Sequence, residues 1–189
     1  MQKTRTFISV PAAPAVCDRA AEAIRLLRQD DDGVKWVDRH AMHWTLQFLG
    51  DLTDADIAEV CFRVQDAVAG FAPFPLVCRG LGAFPAPDRP KTLWLGAATG
   101  GPELCALQAE VESSLDDLGF RTDRRQYRPH LTLGRIGRGA PPAALKEAVS
   151  ALEDYDGGEM IVDEVAVMAS RLHREGPAHT VLATAPLDG

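Results

Sequence analysis

The sequence predicts an α+β fold built by internal duplication. Strands and helices alternate along the whole chain, each half carries a long amphipathic helix, and each half carries one strand that opens His-x-Thr-Leu, "HWTLQFLG" from His43 and "HLTLGRI" from His130. The repeat is too long for a solenoid, whose units run to about 20–50 residues, and no low-complexity linker divides the halves. At 189 residues the chain has the size of one domain, or of two small lobes sharing a core.

The elements follow in order. "RTFISV" alternates and is rich in β-branched residues, as a strand should be. Pro14 then opens "PAVCDRAAEAIRLLRQD", where Val16, Ala20, Ala23, Ile24 and Leu27 trace one helical face. "VKWV" and "HWTLQFLG" read as strands. "TDADIAEVCFRVQDAVAG" has a Thr cap, acids in its first turn and a stripe of Ile57, Val60, Cys61, Val64 and Val68 before Gly70, the pattern of a second helix. "FPLVCRGLGAF" and "KTLWLGA" are strands joined by the Pro-rich turn "PAPDRP", and "GPELCALQAEVESSLDDLG" is a helix closed by Gly119. "HLTLGRI" is a strand, "PPAALKEAVSALED" a shorter helix, and "EMIVDEVAVMASRL" with "HTVLATAPL" a terminal hairpin.

Composition excludes several functions. No apolar run approaches the roughly 18 residues that span a bilayer, and the N-terminus lacks the apolar core of a signal peptide, so a soluble cytoplasmic protein is expected. Cys17, Cys61, Cys78 and Cys105 stand far apart with no Cys-x-x-Cys pair, which spells neither a zinc knuckle nor a redox motif and predicts reduced, buried thiols. A net charge of −7 argues against broad nonspecific nucleic-acid binding. Yet six arginines (Arg121, Arg124, Arg125, Arg128, Arg135, Arg138) face one acid, Asp123, between positions 121 and 138, a local +5 around the second His-x-Thr.

With five histidines in the chain and ordinary Thr and Leu frequencies, two His-x-Thr-Leu strings are expected by chance about 3 times in 10,000. A lone strand histidine beside a threonine is usually a polar pair on a sheet face; two in matching places call for a shared role. Residues two apart on a strand share a face, so His43 pairs with Thr45 and His130 with Thr132, while Trp44, Leu46, Leu131 and Leu133 turn into a core. An imidazole takes a proton when neutral and gives one when charged. Two of them across a cleft suit in-line displacement at phosphorus, with hydroxyls and an arginine on the nonbridging oxygens.

These motifs carry a resemblance. Two His-apolar-Thr-apolar strings 87 residues apart, "FISV" near the start, "FLG" closing the first motif, "LGAFPAPDRPKTLWLG" between and "RPHLTLGR" at the second resemble the two-histidine (2H) phosphoesterase superfamily, and within it the RNA 2′,3′-cyclic phosphodiesterases also called 2′-5′ RNA ligases. The resemblance implies one 2H phosphoesterase domain over residues 1–189, made of two intertwined, pseudo-symmetric lobes. Each lobe is an antiparallel sheet backed by helices that gives one motif to a central cleft. It implies hydrolysis of a terminal 2′,3′-cyclic phosphate to a 2′-phosphate with no metal and no cofactor. His43 would be the acid towards the 3′-oxygen and His130 the base for water; Thr45, Thr132 and Arg135 would hold the phosphate. The partners would be RNA ends or nucleotides bearing that group, with no membrane and a monomeric enzyme. Trp44 within the first motif and Gly134 before the arginine depart from the commoner residues, which bears on packing more than on chemistry.

Other residues are expected to be ordinary. His40 on the same strand as His43 would face the other way, which removes a metal site of His40, His43 and His130; His173 and His179 flank a solvated hairpin turn; Phe7, Phe48 and Phe84 are core, though one of them reaching the cleft would stack on a terminal base. Two alternatives to hydrolysis stay open: a 2′-5′ ligase with a 5′-hydroxyl in place of water, and a noncatalytic RNA- or nucleotide-binding module.

Overall fold

A computed structural model describes residues 3–30, 32–120, 126–137, 143–173 and 176–189. The strands are β1 Thr4–Pro11, β2 Val34–Trp36, β3 His43–Leu52, β4 Phe74–Phe84, β5 Thr92–Ala97, β6 His130–Ile136, β7 Asp156–Val162, β8 Glu164–His173 and β9 Gly176–Pro186; the helices are α1 Pro14–Leu27, α2 Asp54–Val68, α3 Gly101–Ser114 and α4 Ala143–Ala151. All pairings are antiparallel, and the order is β7-β4-β5-β6-β3-β1-β8-β9, with β2 added to β6.

The two motif strands are therefore neighbours at the middle of a curled sheet. One half runs outward from β3 through β1 and β8 to β9, the other from β6 through β5 and β4 to β7. Helices α2 and α3 pack against the first half, α1 and α4 against the second. Helix α1 belongs to the first half of the chain yet covers β6 and β7, and β8 and β9 return from the C-terminus to complete the first half-sheet. The duplicated α+β architecture is thus built by exchange of elements between the halves.

Local sequence explains the helices. Pro14 occupies the first turn of α1, where its missing N–H costs nothing, and Val16, Cys17, Ala20, Ala23, Ile24 and Leu27 are buried. Helix α2 starts with a capping box in which the Thr53 and Asp56 side chains each accept from the other's backbone N–H, and it buries Val60, Val64 and Val68. Helix α3 stops at Ser114, short of the predicted Gly119. The last turn tightens to a 3-10 helix, Asp116–Leu118, and Gly119 at φ 74° ends it.

The predicted terminal hairpin is only partly present. β8 and β9 pair along their length, but "EMIV" belongs to β7, which pairs with β4 at the other end of the sheet. The buried alternation changes phase at Asp163–Glu164, from Met160 and Val162 to Val165 and Val167, which marks a break in the strand but does not say that the two pieces pair at opposite ends of the sheet. No described helix is long and apolar enough to cross a membrane. Cys17 and Cys78 are buried, Cys61 and Cys105 half-buried, and all four are free thiols.

Candidate active site

A single bridge, Trp44 opposite Leu131, joins β3 to β6, and both side chains are fully buried. Carrying that antiparallel register one residue each way sets His43 opposite Thr132 and Thr45 opposite His130, on the face away from the core. Burial agrees, because Trp44, Leu46, Leu131 and Leu133 are buried while the two histidines and two threonines are half-buried.

A bulge then changes the parity of both strands. Between Ser9↔Thr45 and Ile8↔Gln47, β3 has one extra residue, Leu46; between Trp94↔Thr132 and Leu93↔Gly134, β6 has one extra residue, Leu133. Each extra leucine stands three residues after its histidine. Past it, Gln47 and Gly134 turn inward and are buried, and Phe48 and Arg135, each five residues after its histidine, come out on the face of the motif. In an unbroken strand, odd spacing would have sent Arg135 to the opposite face. Here Arg135 lies beside Thr92, Nη1 donating to its Oγ1 at 3.5 Å, and its charge is felt at both imidazoles.

The imidazoles are held alike. Nδ1 of His43 donates to the Ala41 carbonyl at 2.8 Å, and Nδ1 of His130 to the Arg128 carbonyl at 2.7 Å, each two residues upstream. A carbonyl only accepts, so each neutral ring carries its proton on Nδ1 and keeps Nε2 free for chemistry. Burial is the main force pushing His43 down to about 4, with the charges of His179, Arg135 and His130 adding to it against the Ala41 carbonyl. His130 is also lowered, by burial first and then by Arg135 and Arg128, against its own carbonyl partner. An anion between the rings would raise both.

One groove adjoins His43 and a second lies next to Phe84, the ring that meets His130. One, of about 290 Å³, is lined by His43 with Pro11, Cys17, Arg39, His40 and His179. The other, of about 350 Å³, is lined by Phe84, Trp94, Tyr127, Arg128 and Pro129. Trp94 stands opposite Thr132, and its indole lies flat over Gly82 and Gly96, where any Cβ would run into the ring or nearby backbone. Phe84 meets His130 edge-on at 5.0 Å, and the Arg128 guanidinium lies 5.2 Å over Phe84.

Several expectations need correction. His40 is not on the strand of His43 but on a 3-10 turn, Arg39–Ala41, that precedes it, and it borders the groove. Among the described residues no three His, Cys, Asp or Glu side chains gather as metal ligands would. Phe7 is buried at 2 % exposure, but against the His43 ring at 4.8 Å and outside the main core cluster, while Phe48 is 59 % exposed and Phe84 half-buried. His179 is not at a solvated turn: it lies on β9, 5.3 Å from the His43 ring and 5.0 Å from Phe7. His173 ends β8. Of the basic cluster, Arg121, Arg124, Arg125 and Arg138 lie outside the described residues. Sequence reasoning missed Phe7, Trp94 and His179 as neighbours of the motifs; strand alternation could have suggested the facing of each, but not which strands sit beside β3 and β6.

The chain matches the model of the 2′-5′ RNA ligase superfamily over residues 13–174. It is 32% identical over 179 residues to the RNA 2′,3′-cyclic phosphodiesterase of Methanothermobacter thermautotrophicus, covering 94% of this chain and 96% of that protein. It is 35% identical over 149 residues to the RNA 2′,3′-cyclic phosphodiesterase of Aeropyrum pernix, covering 79% of this chain and 84% of that one. The crystal structure of TT0787 of Thermus thermophilus superposes with a TM-score of 0.83 at 26% identity, covering 98% of each chain. With the architecture, the paired motifs and these likenesses in agreement, the chain belongs to the 2′-5′ RNA ligase superfamily, among the two-histidine phosphoesterases.

Proposed function

We propose that this protein is an RNA 2′,3′-cyclic phosphodiesterase that opens a terminal cyclic phosphate to a 2′-phosphate with His43 and His130 as the acid–base pair, without metal or cofactor. The observation that carries the reading is the pairing of two Nδ1-anchored imidazoles on adjacent strands, with parity bulges that turn Arg135 to the same face.

The cyclic phosphate sits between the two Nε2 atoms. Thr45 and Thr132 donate to its nonbridging oxygens and Arg135 balances their charge. His130 accepts a proton from water as the water oxygen bonds to phosphorus; the P–O3′ bond breaks, and His43 delivers a proton to the departing 3′-oxygen. Burial depresses both imidazoles, so the substrate's own negative charge supplies the proton affinity that the acid needs. Phe48, exposed on the motif face, stacks on the terminal base. The enzyme acts as a monomer in the cytoplasm, in keeping with its free thiols.

The two grooves favour ligation as a second direction of the same chemistry. With one groove beside His43 and another next to the Phe84 ring that meets His130, a nucleoside has room near either end of the motif pair, and its 5′-hydroxyl can take the place of the attacking water. Water at roughly 55 M still favours hydrolysis unless that groove supplies a large effective concentration. The decisive assay incubates the protein with RNA ending in a 2′,3′-cyclic phosphate. A single 2′-phosphate product, identified by mass and by phosphatase sensitivity, is expected; a 3′-phosphate product or no turnover contradicts the reading.

A further inference from the structure

Each motif imidazole is met edge-on by one ring from a strand outside the central pair. At His130 the ring is Phe84, with centroids 5.0 Å apart and planes at 87°. At His43 it is His179, at 5.3 Å and 86°. The two rings come from unrelated places in the sheet, Phe84 from β4, two strands beyond β6, and His179 from β9, three strands beyond β3, so a phenyl meets one imidazole and a third imidazole meets the other. We propose that His179 is a positioning residue for His43 and favours release of the proton that His43 delivers. The inference rests on the acid–base reading above.

Displacement by one acid and one base needs one protonated and one neutral imidazole at the same moment. His179 acts on the donor: by weakening the hold of His43 on its proton, it eases delivery of that proton to the 3′-oxygen. Its ring closes one side of His43 while Phe7, at 4.8 Å and 34°, covers another, so with the Ala41 bond the His43 ring is confined on three sides. The buried Nδ1 of His179 has no hydrogen-bond partner among the described residues, so the ring is not committed to another structural bond through that atom. The charged and titratable groups around His43 are His130 and Arg135 from β6, His179 from β9, and Arg39, His40 and the Cys17 thiol across the groove; β1 adds only Phe7 and Ser9. Arg135 acts on both imidazoles, whereas His179 acts on His43 alone and Arg128 on His130 alone. A protonated His179 repels a proton on His43, and its bulk keeps water away; both effects work downward.

The test uses the full chain and two variants. His179→Phe copies Phe84, keeping an edge-on ring and removing the charge, while His179→Ala removes both. Side-chain Cε1 protons of His43 and His130 are titrated by NMR, and kcat/KM for a 2′,3′-cyclic nucleotide is followed against pH. In His179→Phe the His43 midpoint should rise by about half a pH unit or more, with a further rise in His179→Ala, while His130 holds still. The limb of the rate profile that follows His43 should move with it. If His179 serves only to fill space, His179→Phe titrates like the parent and only His179→Ala differs, which overturns the proposal. Should His179→Ala fail to fold, His179→Phe decides alone. Absence of turnover in the parent would count against the phosphodiesterase reading, whereas the NMR midpoints report on His179 without any reaction.

Discussion

At the scale of single residues, chemistry and positioning separate by size of effect. Replacing His43 or His130 with Ala should lower kcat about 10²- to 10⁴-fold, the range for one general acid–base group. Thr45→Ala and Thr132→Ala each remove one phosphate hydrogen bond that water partly replaces, so each should cost about 1–3 kcal/mol of transition-state stabilisation in kcat/KM. His43 also ties pH to stability. Its folded value of about 4 lies below its ordinary 6.5, so the unfolded chain binds the proton more readily. The linked stability is complete above pH 6.5 and is lost as pH falls towards 4, in all about 3 kcal/mol. Urea denaturation from pH 7 to 4.5 should show that loss, and His43→Asn should show less of it. The paired histidines and threonines are legible in the sequence because two-residue spacing fixes a shared face. His179 is not, since nothing in "REGPAHT" says which strand lies beside it.

At the scale of elements, the bulges decide what the site contains. Simple alternation from His130 sends Arg135 to the core side; the extra residue Leu133 brings it back, and Leu46 does the same for Phe48. Sequence patterning finds nearly every strand and helix but gives neither bulges nor partners, because both depend on the neighbouring strand's register. That is why patterning puts Phe48 in the core and "EMIV" in the hairpin. Packing at the seam yields a test. Trp44 is fully buried at the one bridge between β3 and β6, so Trp44→Ala should cost about 3–5 kcal/mol of stability. Gly82→Ala should be tolerated less well than its small size suggests, by about 1–3 kcal/mol, because the new Cβ meets the Trp94 indole. Thermal and urea melts measure both, and Trp94 emission should shift in the glycine variant. Unchanged stability in either would mean that the seam is looser than described.

At the scale of the whole molecule, a duplicated fold brings His43 and His130, 87 positions apart, onto adjacent strands at the middle of one sheet. Repeated motifs make that duplication legible, while the exchange of α1, β8 and β9 between halves follows from nothing in the motifs themselves. The central claim is that two imidazoles, and no metal, provide the proton transfers. The most direct measurement is turnover of an RNA 2′,3′-cyclic phosphate by parent and His130→Ala proteins, each dialysed against EDTA. Two imidazoles acting without metal predict an unchanged rate for the parent and a loss of at least about 10²-fold for the variant. A parent rate abolished by chelation and restored by zinc or manganese, or near-normal turnover by His130→Ala, would contradict that claim.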